Sequence, residues 1–258
     1  MRCCKPFENS PFLMMKMKRL FSYEKGAACF KRHGFIAYIL RIMIAQGNAM
    51  ERFYFETPDI TRKEDALAYV TEFDEYGSEI NGTGGLQRYQ GNYAGWLKKL
   101  DADAKRMPDE ERVPARTYFL VRESDRKIVG MCNIRLALNE RLRRYGGHIG
   151  YSIRPTDRGK GYNNINLYLA LKVCAAHGIE NVFLDADLDN PASWKTMEAF
   201  GGKRIREYYD DIYAHCTVVD YVIDVRKAIE SHQEYENVLW QKETNGGNED
   251  AGSPEEKV

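Results

Sequence analysis

The sequence has no long hydrophobic run and no net charge. No stretch of the 258 residues approaches the roughly 18 uninterrupted apolar residues of a membrane-spanning helix. The 38 basic residues cancel the 38 acidic ones, which removes any global electrostatic attraction for nucleic acid. Hydrophobic residues make up 43% and charged residues 29%, the balance of a globular chain rather than of collagen, a coiled coil or a disordered chain. We therefore expect neither a membrane nor a nucleic acid as partner.

The cysteines follow no pattern. The six are scattered, with no CxxC pair and no Cys/His ligand spacing, so no metal site is expected. Cys132 and Cys174 lie inside apolar runs and are interpreted as small buried hydrophobic residues. Without a disulfide framework, a reducing cytoplasm is the predicted location.

Residues 1–49 differ from the rest of the chain. They contain nine basic and two acidic residues, a charge of +7 that leaves −7 for residues 50–258. The apolar segment 35–45 is interrupted by Arg41 and has no small-residue cleavage site, which argues against a secretory signal. We expect this basic leader to lie outside the fold, with Met50 as the natural start. Two alternatives remain for residues 1–49: they form a basic surface helix, or they bind nucleic acid.

Residues 50–228 are expected to form one folded domain. Strands are predicted at 53–55, 117–122, 128–136, 148–154, 182–186, 203–208 and 216–225. Helices are predicted behind a capping box at Thr61–Glu64, from about Leu86, over 162–177, and after Asn190. The helix at 162–177 is apolar nearly all round, so it must pack on a sheet. Residues 229–258 are expected to be a polar, acidic and largely disordered tail.

A glycine-punctuated basic turn precedes this buried helix. It follows the strand that ends at Arg154 and contains Arg158, Gly159, Lys160 and Gly161. The two glycines allow the backbone to approach a ligand closely, and the helix N-terminus presents positive partial charge. This chemistry suits a diphosphate, although a plain basic surface turn is the alternative. Neither GxxxxGK[ST] nor GxGxxG is present.

The order of motifs around this turn resembles the GNAT superfamily of acetyl-CoA-dependent N-acetyltransferases. The turn gives Arg158-x-x-Gly161-x-Asn163, close to the family signature [Q/R]-x-x-G-x-[G/A]. An Asn190-x-x-Ser193 helix that ends at Gly201 follows the next strand. The resemblance spans about residues 53–225. It implies an α+β fold with a mostly antiparallel sheet, splayed between its two central strands and flanked by helices.

The resemblance also implies where acetyl-CoA would bind. Main-chain N–H groups from Arg158 through Gly159, Lys160, Gly161 and Tyr162 to Asn163 would hold the diphosphate. The strand end at Ile153 and Arg154 would pair with the pantetheine arm, and Asn190 and Ser193 match cofactor-contacting positions. An amine would attack the thioester directly, with no acyl-enzyme.

Two residues depart from the family pattern. Asn163 replaces a small Gly or Ala, so we expect it to weaken binding by crowding the phosphates. Met197 occupies the position of the tyrosine that protonates the leaving thiolate in many relatives, and a thioether cannot donate a proton.

The residues that could move protons are a mixed set. His148 is a candidate base because its ordinary pKa lies near neutrality, although we favour a structural role for it. Asp185 and Asp187 are alternative bases. Candidate acids are Ser193, Tyr208, Tyr209 and Tyr213, and water is the remaining source of a proton.

The sequence thus predicts an acetyltransferase that acts on a primary amine of a small molecule or peptide, possessing no metal. The expected partners are that acceptor and a second copy of the chain in a homodimer. The alternative is a degenerate acyl-CoA-binding module, which Asn163 and Met197 favour.

Overall fold

A computed structural model describes residues 51–212 and 214–239. Within them the strands are β1 (Phe53–Glu56), β2 (Ala115–Arg122), β3 (Ile128–Arg135), β4 (Ile149–Ile153), β5 (Asn181–Asp187), β6 (Lys203–Asp210) and β7 (Cys216–Asp224). The α-helices are α1 (Lys63–Glu75), α2 (Tyr93–Ala104), α3 (Glu140–Arg144), α4 (Tyr162–Ala176), α5 (Pro191–Ala199) and α6 (Val225–Glu230). None of the helices in these residues is both long and apolar enough to cross a bilayer. The expectations for the leader 1–49 and for Tyr213 fall outside the described residues.

The strands form two antiparallel sheets. One has the order β1-β2-β3-β4 and the other β5-β7-β6. β4 pairs only with β3, and β5 only with β7, so no ladder joins the two central strands in the described part of the chain. A single main-chain hydrogen bond, from His148 N–H to the Phe183 carbonyl at 2.7 Å, connects them at one end. The predicted fold class, with a sheet splayed between two central strands, is confirmed.

Alternation along the strands divides the core into two layers. Phe119, Val121 and Met131 face one side of the first sheet, where they pack with α1 and α2 around Trp96. The opposite face carries Cys132, which packs with α4 and the second sheet. Burial of each large apolar side chain contributes about 1.5–3 kcal/mol, so both layers hold the first sheet in place.

The all-round apolar helix occupies the predicted place. α4 buries Leu167, Leu171 and Cys174 completely, and it contacts both sheets through a core that includes Val182 and Ile223. His177 and Gly178 close it, with Gly178 at φ +72°. Packing on several sides is the reason why this helix tolerates no polar stripe.

Two predicted helix starts are wrong. The capping box at Thr61–Glu64 does not form: Asp59 instead accepts hydrogen bonds from the main chain and hydroxyl of Thr61, which caps a short 3-10 turn before α1. The helix expected from Leu86 is a 3-10 turn, and α2 begins at Tyr93 with Asn92 as its cap. The Asn92 side chain accepts the Gly95 N–H and so caps α2, while the Trp96 indole donates to the Thr83 carbonyl and holds the preceding loop against the helix.

The boundary expected at residue 228 is placed too early. A 3-10 helix over Gln233–Val238 follows α6, and Leu239 bridges to Phe53 of β1. His232 is buried there, and its ring stacks on Phe200 at 4.2 Å between centroids. Residues 229–239 therefore belong to the folded domain, and residues 240–258 lie outside the described residues.

Candidate functional site

The gap between β4 and β5 is the main opening in the sheet. Residues 150, 152 and 154 direct their main-chain groups to β3, because Arg154 N–H donates to the Val129 carbonyl and the register continues along the strand. The direction of main-chain hydrogen bonding alternates along an antiparallel strand. The main-chain N–H and C=O groups of Ile149, Tyr151 and Ile153 therefore point into the gap. Along this edge β4 has no partner strand among the described residues, so the edge can accept an extended ligand as an additional strand.

The basic turn lies at the far end of this edge. Gly159 has φ +77° and Gly161 has φ +80°, and a Cβ added at either would meet nothing within 4 Å. Positive φ requires glycine here, while packing does not. Among the described residues, no acceptor binds the main-chain N–H groups from Gly159 to Asn163, and α4 has no side-chain cap. These free donors converge at a helix N-terminus, which is a favourable place for phosphate oxygens.

A buried carboxylate anchors this turn from below. Asp157 is 1% exposed and contacts Lys160 at 2.6 Å, Lys127 at 2.8 Å and Arg122 at 3.3 Å. Although burial raises it, hydrogen bonds from Lys127 and Lys160 hold the pKa of Asp157 below its ordinary value. Arg122 also pairs with Glu51 and Asp125, so the three cations of this cluster are balanced by three carboxylates, and the pair with Lys160 ties the turn to the buried anchor.

Other predicted binding residues have structural partners. Arg154 is buried, donates to Glu72 and to the Ile128 carbonyl, and stacks on Tyr69. It ties the end of β4 to α1 rather than facing the gap. Arg158 is exposed at the mouth of the gap and donates to the Ile153 carbonyl and to Ser78.

The tyrosine and asparagine of the turn also point away from it. The Tyr162 ring is buried against Phe53, so only its main chain faces the turn. The Asn163 amide donates to Thr196 Oγ1 at 3.2 Å, between α4 and α5. The side chain of Asn163 therefore does not project over the free N–H groups, and the expected crowding of phosphates has no geometric basis.

Asn190 and Ser193 organise the start of α5. Asn190 Oδ1 accepts from the Ser193 N–H at 3.3 Å as the helix cap. The Ser193 hydroxyl lies 3.0 Å from the Tyr151 phenol, which reaches across from β4. Burial raises the pKa of Tyr151 to about 12, against the effect of the Ser193 hydrogen bond, so the phenol keeps its proton. Two hydroxyl groups thus meet beside the gap.

Sequence reasoning missed Tyr151. The strand pattern at 148–154 placed it correctly in β4, but one tyrosine among seventeen carried no signal of its own. Its proximity to Ser193 joins residues 42 positions apart, and only the packing of α5 over the gap creates it. Met197, at the position of the tyrosine in many relatives, is buried and 1% exposed.

His148 has a structural environment. Its Nδ1 accepts the Phe183 N–H at 3.0 Å, which together with the His148 N–H bond holds β4 and β5 at the closed end of the gap. Burial, together with the nearby charges of Arg135 and Arg143, lowers the pKa of His148 to about 4. A neutral ring with its Nδ1 lone pair engaged is a poor proton acceptor.

Asp185 and Tyr208 lie on the second sheet. Asp185 accepts the Gly146 N–H at 2.7 Å, and burial raises its pKa above the ordinary value. Tyr208 donates to the Arg144 carbonyl at 3.3 Å, and burial raises its pKa to about 12. Within the described residues, the four predicted catalytic side chains form no hydrogen bonds to one another. His148 lies at the closed end of the gap, and Ser193 lies beside the gap through its contact with Tyr151 of β4.

A second opening lies on the α1–α2 side of the first sheet. Its volume is about 630 Å³, and the loop 80–85, the end of β3 and Gly150 of β4 line it. Gly82 packs directly on this strand, because a Cβ there would meet the Gly150 carbonyl at 2.5 Å. This cavity and the gap are thus on adjacent sides of β4. Among the described residues, no group of three or more His, Cys, Asp and Glu side chains is placed to hold a metal ion.

Comparison with known proteins shows the family and the fold of the chain. Residues 63–203, more than half of the chain, match the family described as acetyltransferase (GNAT) domain. RimJ from Mycobacterium smegmatis, solved in complex with CoA-disulfide, aligns with a TM-score of 0.58 at 12% identity over 74% of this chain and 95% of its own. Ribosomal-protein-S5-alanine acetyltransferase from Vibrio fischeri aligns with a TM-score of 0.53 at 14% identity, over 68% and 95% of the two chains. None of the curated proteins matches the sequence. Both structural likenesses concern the fold.

Proposed function

This chain belongs to the GNAT acetyltransferase family and is an acyltransferase, and we propose that it transfers the acetyl group of acetyl-CoA to a primary amine by direct attack. The observation that carries the proposal is the set of free main-chain N–H groups from Gly159 to Asn163, beside the unpaired edge of β4. Acetyl-CoA, the acetyl donor, has a diphosphate that matches the free N–H groups of the turn and an amide-containing arm that matches the edge of β4.

The turn would hold the diphosphate. Each N–H that meets a phosphate oxygen forms a charge-assisted hydrogen bond, and such bonds contribute about 1.5–3 kcal/mol. Arg158 and Lys160 are exposed beside them and add long-range attraction. Ser193 on α5 and Asn190, which caps that helix, lie across the gap and would contact the arm.

The edge of β4 would orient the acetyl group. The amide-containing arm can pair with the main chain of Ile153 and Tyr151, as an added strand does. Main-chain N–H groups on this edge are the donors available to polarise the thioester carbonyl, and they are fixed by the pairing of β4 with β3. Because these N–H groups are already in place, the protein needs no rearrangement when negative charge develops on the thioester carbonyl oxygen.

The hydroxyl pair of Tyr151 and Ser193 is the proposed proton source for the leaving group. In the reaction a C–N bond forms, the C–S bond breaks, the amine loses a proton and the coenzyme A sulfur gains one. A phenol that remains protonated, in contact with a serine hydroxyl, can donate to a developing thiolate and be reprotonated from water. This pair would protonate the leaving thiolate, which the thioether of Met197 cannot do.

The base is assigned to water rather than to a side chain. His148 has a lowered pKa and an engaged Nδ1, while Asp185 is bonded to the Gly146 N–H. The acceptor amine would then react in its neutral form, so the rate rises with pH until that form predominates. A cytoplasmic location and a homodimer stay predictions from the sequence.

A degenerate acyl-CoA-binding module is the second candidate, which the buried Met197 favours. The two are separated by a thiol-release assay with acetyl-CoA and a panel of primary amines, with mass spectrometry of the acceptor. Release of coenzyme A together with an acetyl group added to the amine supports the transferase. Binding of acetyl-CoA without turnover on any amine supports the module.

A further inference from the structure

The cavity on the α1–α2 side has a one-sided charge. Its lining includes five basic side chains and no Asp or Glu, in a domain whose sequence from residue 50 onward carries a net charge of −7. The five are Arg88, Lys99, Arg112, Arg135 and Arg141. Five positive side chains around one cavity, within a domain of net negative charge, indicate that the cavity has a function of its own.

Internal contacts account for only part of this charge. Lys99 pairs with Asp103 at 2.6 Å, and Arg135 donates to the carbonyls of Gly146 and Gly147. By contrast, the guanidinium groups of Arg88 and Arg112 form no ion pair and no hydrogen bond within residues 51–212 and 214–239, although the main-chain N–H of Arg112 and also the charge of its side chain lower the pKa of Asp109. Both side chains are exposed at the rim of the cavity, so they are free to bind a ligand.

The position of the cavity connects it with the chemistry. Gly150 belongs both to its lining and to β4, whose opposite edge borders the gap. Asn133 of β3 also lines the cavity, and its amide donates to Thr117 Oγ1 of β2 at 2.9 Å. A molecule in the cavity therefore lies next to the strand that would orient the acetyl group. The volume of about 630 Å³ falls within the range of small-molecule sites.

We propose that this cavity binds the acceptor, and that the acceptor is a small amine that also carries a phosphate or carboxylate group held by Arg88 and Arg112. This inference rests on the proposed function and adds its substrate class. Arginine binds both anions in a bidentate manner. The same positive charges repel an ammonium group, so they disfavour polyamines and favour the neutral, reactive form of the amine.

The experiment compares acceptors that differ in charge. O-phosphoethanolamine and β-alanine carry the two anionic groups, ethanolamine carries none, and 1,3-diaminopropane carries a second cation. Acetylation is measured as kcat/KM for each, and binding of each is measured separately by calorimetry. We expect the better of the two anionic amines to exceed both others by at least about tenfold, and to lose that advantage at high salt.

Two variants test whether Arg88 and Arg112 cause the preference for anionic amines. Arg88→Gln combined with Arg112→Gln removes the two free cations, and we expect it to reduce the preference for the anionic amine about tenfold with little change for ethanolamine. Arg226→Gln, on the exposed face of α6, removes one of the same charges away from the cavity and serves as control. It should leave the preference unchanged.

The outcomes separate this inference from the proposed function. An equal or better rate and affinity for ethanolamine or 1,3-diaminopropane overturns it while leaving the transferase intact. Tighter binding of an anionic amine without turnover supports the cavity but contradicts the transferase. No binding of any amine, or an equal loss in the Arg226→Gln control, overturns the assignment of this cavity.

Discussion

Substitution of Gly161 tests the diphosphate site, and the chain supplies a matched control. Gly161 and Gly178 stand at the two ends of α4 with φ +80° and +72°, and a Cβ at either meets nothing within 4 Å. Alanine at each position therefore introduces the same strain, about 1–2 kcal/mol for a non-glycine residue in the left-handed region. Only the methyl group at position 161 would project into the space where phosphate oxygens meet the N–H groups.

The expected effects on binding differ between the two variants. Loss of one charge-assisted hydrogen bond costs about 1.5–3 kcal/mol, which corresponds to an affinity lower by about 10- to 150-fold. We therefore expect Gly161→Ala to raise the KM for acetyl-CoA at least tenfold. Gly178→Ala should leave that KM unchanged, and Gly161→Val should raise it further.

Two assays check the comparison. Thermal unfolding should show a similar decrease in Tm for the two alanine variants, which establishes that strain is matched. Initial rates at varied acetyl-CoA then give KM at a fixed, saturating amine. An unchanged KM in Gly161→Ala, or the same increase in Gly178→Ala, would refute the assignment of the diphosphate to this turn.

Three further predictions concern the proton source, the anchor of the turn and a helix start. Tyr151→Phe should lower kcat about 100-fold with little change in the KM for acetyl-CoA, whereas Tyr168→Phe, which removes a phenol bonded to Glu236 on the far side of α4, should affect only stability. Asp157→Asn should destabilise the fold by about 3 kcal/mol at neutral pH, measured by denaturant unfolding. Because the pKa of Asp157 is lowered on folding, this contribution is complete above the ordinary value of 3.8 and disappears as pH falls through the folded pKa. Asp59→Ala should cost about 1 kcal/mol of unfolding free energy as a lost cap, and Glu64→Ala less than about 0.5 kcal/mol.

Each of these has a contrary result. Equal kcat in Tyr151→Phe and wild type would remove the phenol from the proton path. A stability loss in Asp157→Asn that persists unchanged at pH 3 would show that the ion pairs are not its origin. A larger loss of unfolding free energy in Glu64→Ala than in Asp59→Ala would show that the predicted capping box, and not Asp59, stabilises this helix start.

Local patterns predicted the elements that depend on local physics. The helix over 162–176 was predictable because its side chains are apolar in every direction, and the turn before it because Gly159 and Gly161 interrupt a basic segment. The strands were placed within one or two residues by alternation, and the family resemblance gave their arrangement. The splayed sheet needed that resemblance, since no pattern in β4 or β5 marks the missing ladder.

The errors in the helix starts arose from competing local caps, and the site was missed where distant contacts decide the structure. Asp59 replaced the expected capping box because its carboxylate accepts hydrogen bonds from Thr61, and α2 begins at Tyr93 because Asn92 caps it through the Gly95 N–H. The meeting of Tyr151 with Ser193, and the clustering of Arg88 and Arg112 around one cavity, depend on how elements pack. Such juxtapositions have no signature in a single sequence, and they make up most of the candidate site.

Calorimetric titration with coenzyme A and with pantetheine tests the central claim most directly. Pantetheine has the arm and the thiol but no diphosphate, so it retains pairing with β4 and loses every contact to the turn between Gly159 and Asn163. The account predicts that coenzyme A binds with an affinity at least about 100-fold higher than pantetheine. Equal affinity of the two, or no binding of coenzyme A to the folded protein, would contradict it.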